Sequence, residues 1–138
     1  VNEKGLDNVR FVEAQPFSRM SDVLALGDVQ LVTLKDVPLY RSTLPSKLQA
    51  NLAAGRPIIG SLRGDAAHVI HASGAGQVVP PGDANALALA IRKAHALSPA
   101  ERTRMSAAAR RYYEDNFSQA AVTDTLESLL AQAAVGKT

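Results

Sequence analysis

Chemistry is best equipped along the run Arg41, Ser42, Thr43, Leu44, Pro45, Ser46, Lys47. A helix that starts at Pro45 leaves unpaired N–H groups and a positive dipole end over Leu44 to Leu48. Such first turns usually carry Asp or Glu, whereas this one carries Lys47, with Arg41 upstream and three hydroxyls between. The misplaced cation costs a few tenths of a kcal/mol, roughly, and a bound anion would reverse that cost. Free N–H groups also suit phosphate oxygens. Two readings stay open on these residues: an anion site, or a solvated lysine whose stem covers apolar surface.

Arg63-Gly64 is a second candidate. Gly64 permits close backbone approach to a ligand, and Arg63 can meet a phosphate or a sugar carboxylate. The plainer alternative is an ordinary strand-to-helix turn. The letters Arg-Gly-Asp at 63–65 spell an adhesion tripeptide, which in this position is coincidence. Asp65, His68 and His71 recur every three residues and share a helix face, but three ligands on one helix make a poor closed zinc site. They read as surface polar groups, as does His95. Arg102, Arg104, Arg110 and Arg111 mix with Glu101, Glu114 and Asp115 and read as a solvated face. No catalytic triad, G-x-G-x-x-G or Walker loop occurs.

These residues must be positioned by a repeating scaffold. Val9–Ala14, Val29–Leu34, Pro57–Leu62 and Gly76–Val79 are short, rich in Val and Ile, and bounded by turn residues, so they are predicted strands. Between them lie stretches of helical spacing: Phe17–Gly27 with Met20, Val23 and Leu24 on one stripe, Pro45–Ala54 with Leu48 and Leu52, and Asp65–Ser73. Alternating strands and helices imply right-handed crossovers and a parallel sheet, a Rossmann-like α/β fold. From Asp83 the pattern is helical only. Asp83 caps a helix with Leu87, Ile91 and Ala94 inward. Ser98-Pro99-Ala100-Glu101 is a capping box that opens a helix reaching Asn116. Ser118 opens a last helix with Val122, Leu126, Leu129 and Leu130 on one face, ending near Gly136. In open parallel sheets ligands bind beyond the carboxyl ends of the strands. That rule selects Gln15-Pro16, Lys35 to Leu44, Arg63-Gly64 and Pro80-Pro81-Gly82.

The 138 residues suit one domain, and 46% apolar with 20% charged residues excludes wholesale disorder. Zero cysteine excludes a disulfide scaffold, a thiolate metal site and a cysteine nucleophile, and fits a reducing cytoplasm. A net charge of +2 is too weak to imply nucleic acid. No apolar run approaches the roughly 20 residues of a spanning helix, and no signal sequence opens the chain. Four strands are few for a doubly wound sheet, and the first follows closely on Val1–Asn8 with its helix-ending Gly5. The sequence therefore reads as cut into mid-domain, as a single domain over 1–138 with an α/β part, Val1–Val79, and a helical part, Asp83–Gly136.

The order NVRF, LGDVQLVTL, LPSKLQANLAAGRPIIGSLRG, HVIHASGAG and QVVPPGDANALALAIRKA resembles the carboxyl-terminal half of retaining glycosyltransferases of GT-B architecture. It is most similar to the family-4 (group 1) enzymes of bacterial polysaccharide assembly that carry a PSKL motif. The resemblance implies a donor-binding lobe for a nucleotide-diphosphate sugar, with no metal or other cofactor. The diphosphate would be held by Ser42, Thr43, Leu44, Pro45, Ser46 and Lys47, Lys47 stabilising the phosphate charge. Gln15 with Pro16 would lie near the base, and Arg63 with Gly64 near the sugar or phosphate. No nucleophile is implied: the sugar–phosphate bond ionises and the acceptor enters on the same face.

The sequence departs from the family pattern twice. Ala50 stands where many relatives have the glutamate that binds the ribose, and His68 where a second glutamate is common. Both departures argue against the rival reading as a nucleotide-sugar epimerase, which needs acidic groups. A receiver domain would need an acidic cluster where Glu13-Ala14-Gln15 stands and a phosphorylatable aspartate where Leu62-Arg63-Gly64 stands. A degenerate lobe acting as scaffold is the remaining alternative. The resemblance further implies an acceptor-binding amino-terminal domain outside this chain, an inactive isolated lobe, a cytoplasmic location and peripheral membrane contact of the whole protein.

Overall fold

The computed structural model describes residues 5–135. Three strands, β1 (Gln30–Thr33), β2 (Ile58–Ser61) and β3 (Gly76–Val79), form one parallel sheet in the order β1-β2-β3. Gln30, Ile58 and Gly76 are in register at one end, Thr33, Ser61 and Val79 at the other. The helices are α1 (Met20–Ala25, entered by a 3₁₀ turn Phe17–Arg19), α2 (Pro38–Arg41), α3 (Ser46–Ala53), α4 (Asp65–Ser73), α5 (Ala84–His95), α6 (Pro99–Asn116) and α7 (Gln119–Val135).

Alternation along the strands sends side chains to two cores. Val32, Ile58 and Val78 face a larger cluster with Leu48 and Leu52 of α3, Ala66, Val69 and Ile70 of α4, and Ala109 of α6. Ile59 and Val79 face a smaller one with Ala90 and Ala94 of α5. Every residue of β2 is buried, as expected of a strand covered on both faces. Each large aliphatic side chain so buried contributes about 1.5–3 kcal/mol. Gly76 is required by the pairing itself, since a β-carbon there would stand 1.8 Å from the Ile58 carbonyl oxygen.

The helix ends follow local chemistry. Gln30 Nε2 donates to the Leu24 carbonyl at 2.8 Å and Arg56 Nη2 to that of Ala25 at 3.2 Å, capping α1 from outside. Asp83 accepts from the Ala86 N–H at 2.8 Å. The Ser98–Glu101 capping box is formed in both directions. Arg110 of α6 donates to the carbonyl of Ala53, pinning the last turn of α3.

Four expectations need correction or placement. Val9–Ala14 forms no strand, and Phe11 is 85% exposed. No strand among the described residues pairs with it, and strand propensity without a ladder does not hold. The expected loop Lys35 to Leu44 contains the short helix α2, begun by Pro38 at its first position. Ile91, expected inward, is 49% exposed and lines a cleft of about 270 Å³ with Leu31, Ile59 and Arg102. A helix before Gly5 would fall on residues 1–4, and its end at Gly136 on 136–138, both outside the described residues. The apolar face of α7 carries exposed Val122, Leu126, Leu129 and Leu130. No helix among the described residues is long and apolar enough to cross a membrane.

Candidate functional site

All three strands point their carboxyl ends at one edge of the sheet, where a crevice of about 600 Å³ is lined by Thr33, Leu34, Lys35, Asp36, Ser61, Pro81 and Gly82. From this edge the chain leaves β1, makes the single turn of α2 and enters α3. Two of the four loops chosen from the sequence therefore meet the fourth here: Lys35 to Leu44, Arg63-Gly64 and Pro80-Pro81-Gly82.

The start of α3 is unusual. Pro45 at the N-cap has no side chain able to accept a hydrogen bond, and no acid lies in the first turn. Ser46 and Lys47 are exposed, while Leu48, one residue on, is fully buried and fixes the turn to the core. Among the described residues Lys47 is in no salt bridge. Ser46 and Lys47 also border an open groove of about 410 Å³, shared with Phe17, Met20 and Leu24 of the α1 segment and with Ala50 and Tyr113. The groove's wall at position 50 is a methyl group, so no carboxylate faces it from there.

Of the hydroxyls upstream, Thr43 donates through Oγ1 to the Leu39 carbonyl at 2.7 Å and closes the end of α2. Ser42 is exposed at the C-cap of α2. Leu44 is half-buried and packs against the larger core. Gln15 donates to the Glu13 carbonyl at 3.1 Å and accepts from Arg19 at 3.5 Å, so its amide serves its own segment, which leads into the wall of the groove.

Arg63 and Gly64 both make contacts with the loop that follows β1. Arg63 Nε donates to Asp36 Oδ2 at 3.2 Å, and Arg41 Nη2 donates to Asp36 Oδ1, also at 3.2 Å. Gly64 has φ of +75°, and a β-carbon there would lie 1.8 Å from the Arg41 carbonyl oxygen. The close approach that glycine permits is thus made by the chain's own backbone. Asp36 was not singled out from the sequence; its spacing from Arg41 gives no signal until α2 turns the chain back on itself. Asp65, His68 and His71 are all exposed, and among the described residues no cluster of three His, Asp or Glu could hold a metal ion.

The fold and this edge can be compared with known proteins. Sucrose-phosphate synthase from Thermosynechococcus elongatus has a similar solved structure, with a TM-score of 0.74 and 26% sequence identity. The match covers 94% of this chain and 31% of that one, so the chain spans about a third of its structural neighbour. A search of curated proteins finds no match. The sequence model described as glycosyl transferases group 1 matches residues 1–96, which hold the sheet, the uncapped start of α3 and the Asp36–Arg63 junction. On that match, over more than half of its length, the chain belongs to the group 1 glycosyl transferases.

Proposed function

We propose that this chain is the donor-binding part of a retaining glycosyltransferase that moves a sugar from a nucleotide-diphosphate sugar to a glycan or lipid-linked acceptor in bacterial polysaccharide assembly. The observation that carries this reading is the family match over residues 1–96 coinciding with an α3 first turn that lacks both a cap and an acid and presents Lys47. Departure of the nucleoside diphosphate places charge on its phosphate oxygens. Preorganised N–H groups at Ser46 and Lys47, with the Lys47 ammonium, stabilise that charge as it develops. Ser42, Leu44 and Pro45 shape the approach, and Arg63 faces the same strand edge. The groove beside Lys47 takes the nucleoside, with the Gln15-Pro16 segment leading to the base. Charge is supplied by side chains in this reading, so binding is independent of a divalent metal and survives chelation.

The acceptor belongs to a separate domain, and transfer requires it. The whole protein works in the cytoplasm, at the inner face of the membrane when the acceptor is lipid-linked. A second reading, a lobe that has lost donor binding and serves as scaffold, is favoured by one observation: Ala50 gives the groove no carboxylate for ribose hydroxyls. Amide NMR titration with UDP, GDP and their sugars separates the two. Shifts clustered at Ser42–Lys47 that vanish in Lys47→Ala support donor binding. A well-dispersed spectrum that millimolar nucleotide leaves unmoved supports the scaffold.

A further inference from the structure

Two arginines from different loops share one carboxylate at the strand edge. Arg41 ends α2 and Arg63 follows β2, and each donates to a different oxygen of Asp36 at 3.2 Å. Both side chains are more than half exposed, and Asp36 is 37% exposed. The loops and the helix starts that follow them carry Lys35, Arg41, Lys47 and Arg63 against Asp36 and Asp65, so the edge keeps an excess of positive charge while Asp36 is bound.

The arginines do not owe their proximity to Asp36. Gly64, with φ of +75°, lets the β2–α4 turn press directly on the Arg41 backbone. That contact fixes the origins of both side chains whatever the state of the carboxylate. Asp36 then fills a position between two guanidinium groups that backbone packing alone has brought together. A carboxylate is a monoanion with two acceptor oxygens, whereas a phosphate offers more charge and a third oxygen. Arginine forks bind it through paired, charge-assisted hydrogen bonds. Exposed ion pairs of the Asp36 kind hold weakly, so exchange for a stronger anion meets little resistance.

We propose that Arg41 and Arg63 form a second anion-binding point of this site, and that Asp36 is its resident counter-ion, displaced when a phosphate group arrives. The proposal rests on the reading of the edge as a diphosphate site, and assigns the part of the diphosphate not held at Lys47. Its consequence is self-regulation of affinity: Asp36 weakens anion binding but offsets part of the charge of the two arginines when the site is vacant.

The test is calorimetric and NMR titration of the 138-residue chain with inorganic pyrophosphate and, separately, with UDP. The variants are Asp36→Asn, Arg41→Ala, Arg63→Ala and Lys47→Ala, each checked for a dispersed amide spectrum. Asp36→Asn tightens pyrophosphate binding about fivefold at low salt, the effect of removing one charge at contact distance in water. The gain shrinks as ionic strength rises. Arg41→Ala and Arg63→Ala each weaken binding, and in the Asp36→Asn background they remove the gain. Unchanged or weaker binding in folded Asp36→Asn overturns the proposal. Should UDP bind and Lys47→Ala abolish it while the Asp36 and arginine variants change nothing, this proposal falls and the donor-site reading stands. If no variant binds either probe, both fall.

Discussion

The α-carbon of Gly64 sits against the Arg41 backbone so tightly that a β-carbon would meet the Arg41 carbonyl oxygen at 1.8 Å. This contact joins the loop after β2 to the loop after β1. Gly64→Ala therefore forces the two apart and places a side chain at φ of +75°. The expected cost is about 1–3 kcal/mol. Urea denaturation measures it, with amide shifts at Arg41 and Arg63 confirming where the strain falls. A variant as stable as the parent sinks the account of this contact.

Leu48 anchors the start of α3 and is fully buried beneath Lys47. Leu48→Ala removes a core side chain next to the uncapped turn and costs about 2–5 kcal/mol. Thermal melts report the loss, and the amide at position 48, which bonds to the Pro45 carbonyl at 2.9 Å, becomes the first hydrogen-bonded amide of α3 to exchange with solvent. Uniform exchange along α3 contradicts this anchoring role.

Glu101 is held below its ordinary value of 4.5 by hydrogen bonds from the Ser98 side chain and then from the Ser98 backbone. The folded state thus favours the charged form. The stabilisation this brings to the start of α6 is complete above the unfolded value and is lost as pH falls through the lowered folded value. Acid titration followed by NMR should show the first turn of α6 loosening over that interval. In Glu101→Gln the same turn loses its pH dependence there; retention of it refutes the assignment.

Ala50 lines the groove beside Ser46 and Lys47. Within the donor-site reading, Ala50→Glu places a carboxylate where the ribose hydroxyls lie. Hydrogen bonds to a charged acceptor are worth about 1.5–3 kcal/mol, so UDP should bind about tenfold tighter or more. The 2′-deoxy analogue, lacking one hydroxyl, gains less. Equal gains for both nucleotides place the ribose elsewhere.

Much of this arrangement was legible in the sequence because its signals are local. Val29–Leu34, Pro57–Leu62 and Gly76–Val79 announce strands by their Val and Ile content, and β1, β2 and β3 lie within them. The continuous apolar run marks burial on both faces only in β2, since β1 buries Val32 alone. Ser98 and Glu101 announce their capping box by spacing alone. Val9–Ala14 misled for the complementary reason: its Val and Phe content is right for a strand, but pairing is a property of the neighbour. The site shows the same division. The missing acid at the start of α3 could be read from Pro45-Ser46-Lys47. The Asp36 junction could not, because it depends on a single helical turn, Pro38–Arg41, and on a backbone contact between residues far apart in sequence.

The order β1-β2-β3 has a kinetic meaning. β2 and β3 are joined through α4 alone, whereas β1 and β2 are separated by α2, α3 and their loops. The shorter closure loses less chain entropy, so the β2–α4–β3 unit assembles first and β1 docks onto it later. Val32 is the one residue of β1 that is buried. β1 is therefore the strand most easily released by partial unfolding, and the loop bearing Asp36, Arg41 and Lys47 leaves with it. Hydrogen exchange should reveal this hierarchy at Gln30 and Leu34, whose amides bond to Pro57 and Ser61. An anion that bridges the β1 and β2 loops would then act as a kinetic rivet, closing the last-formed seam of the sheet.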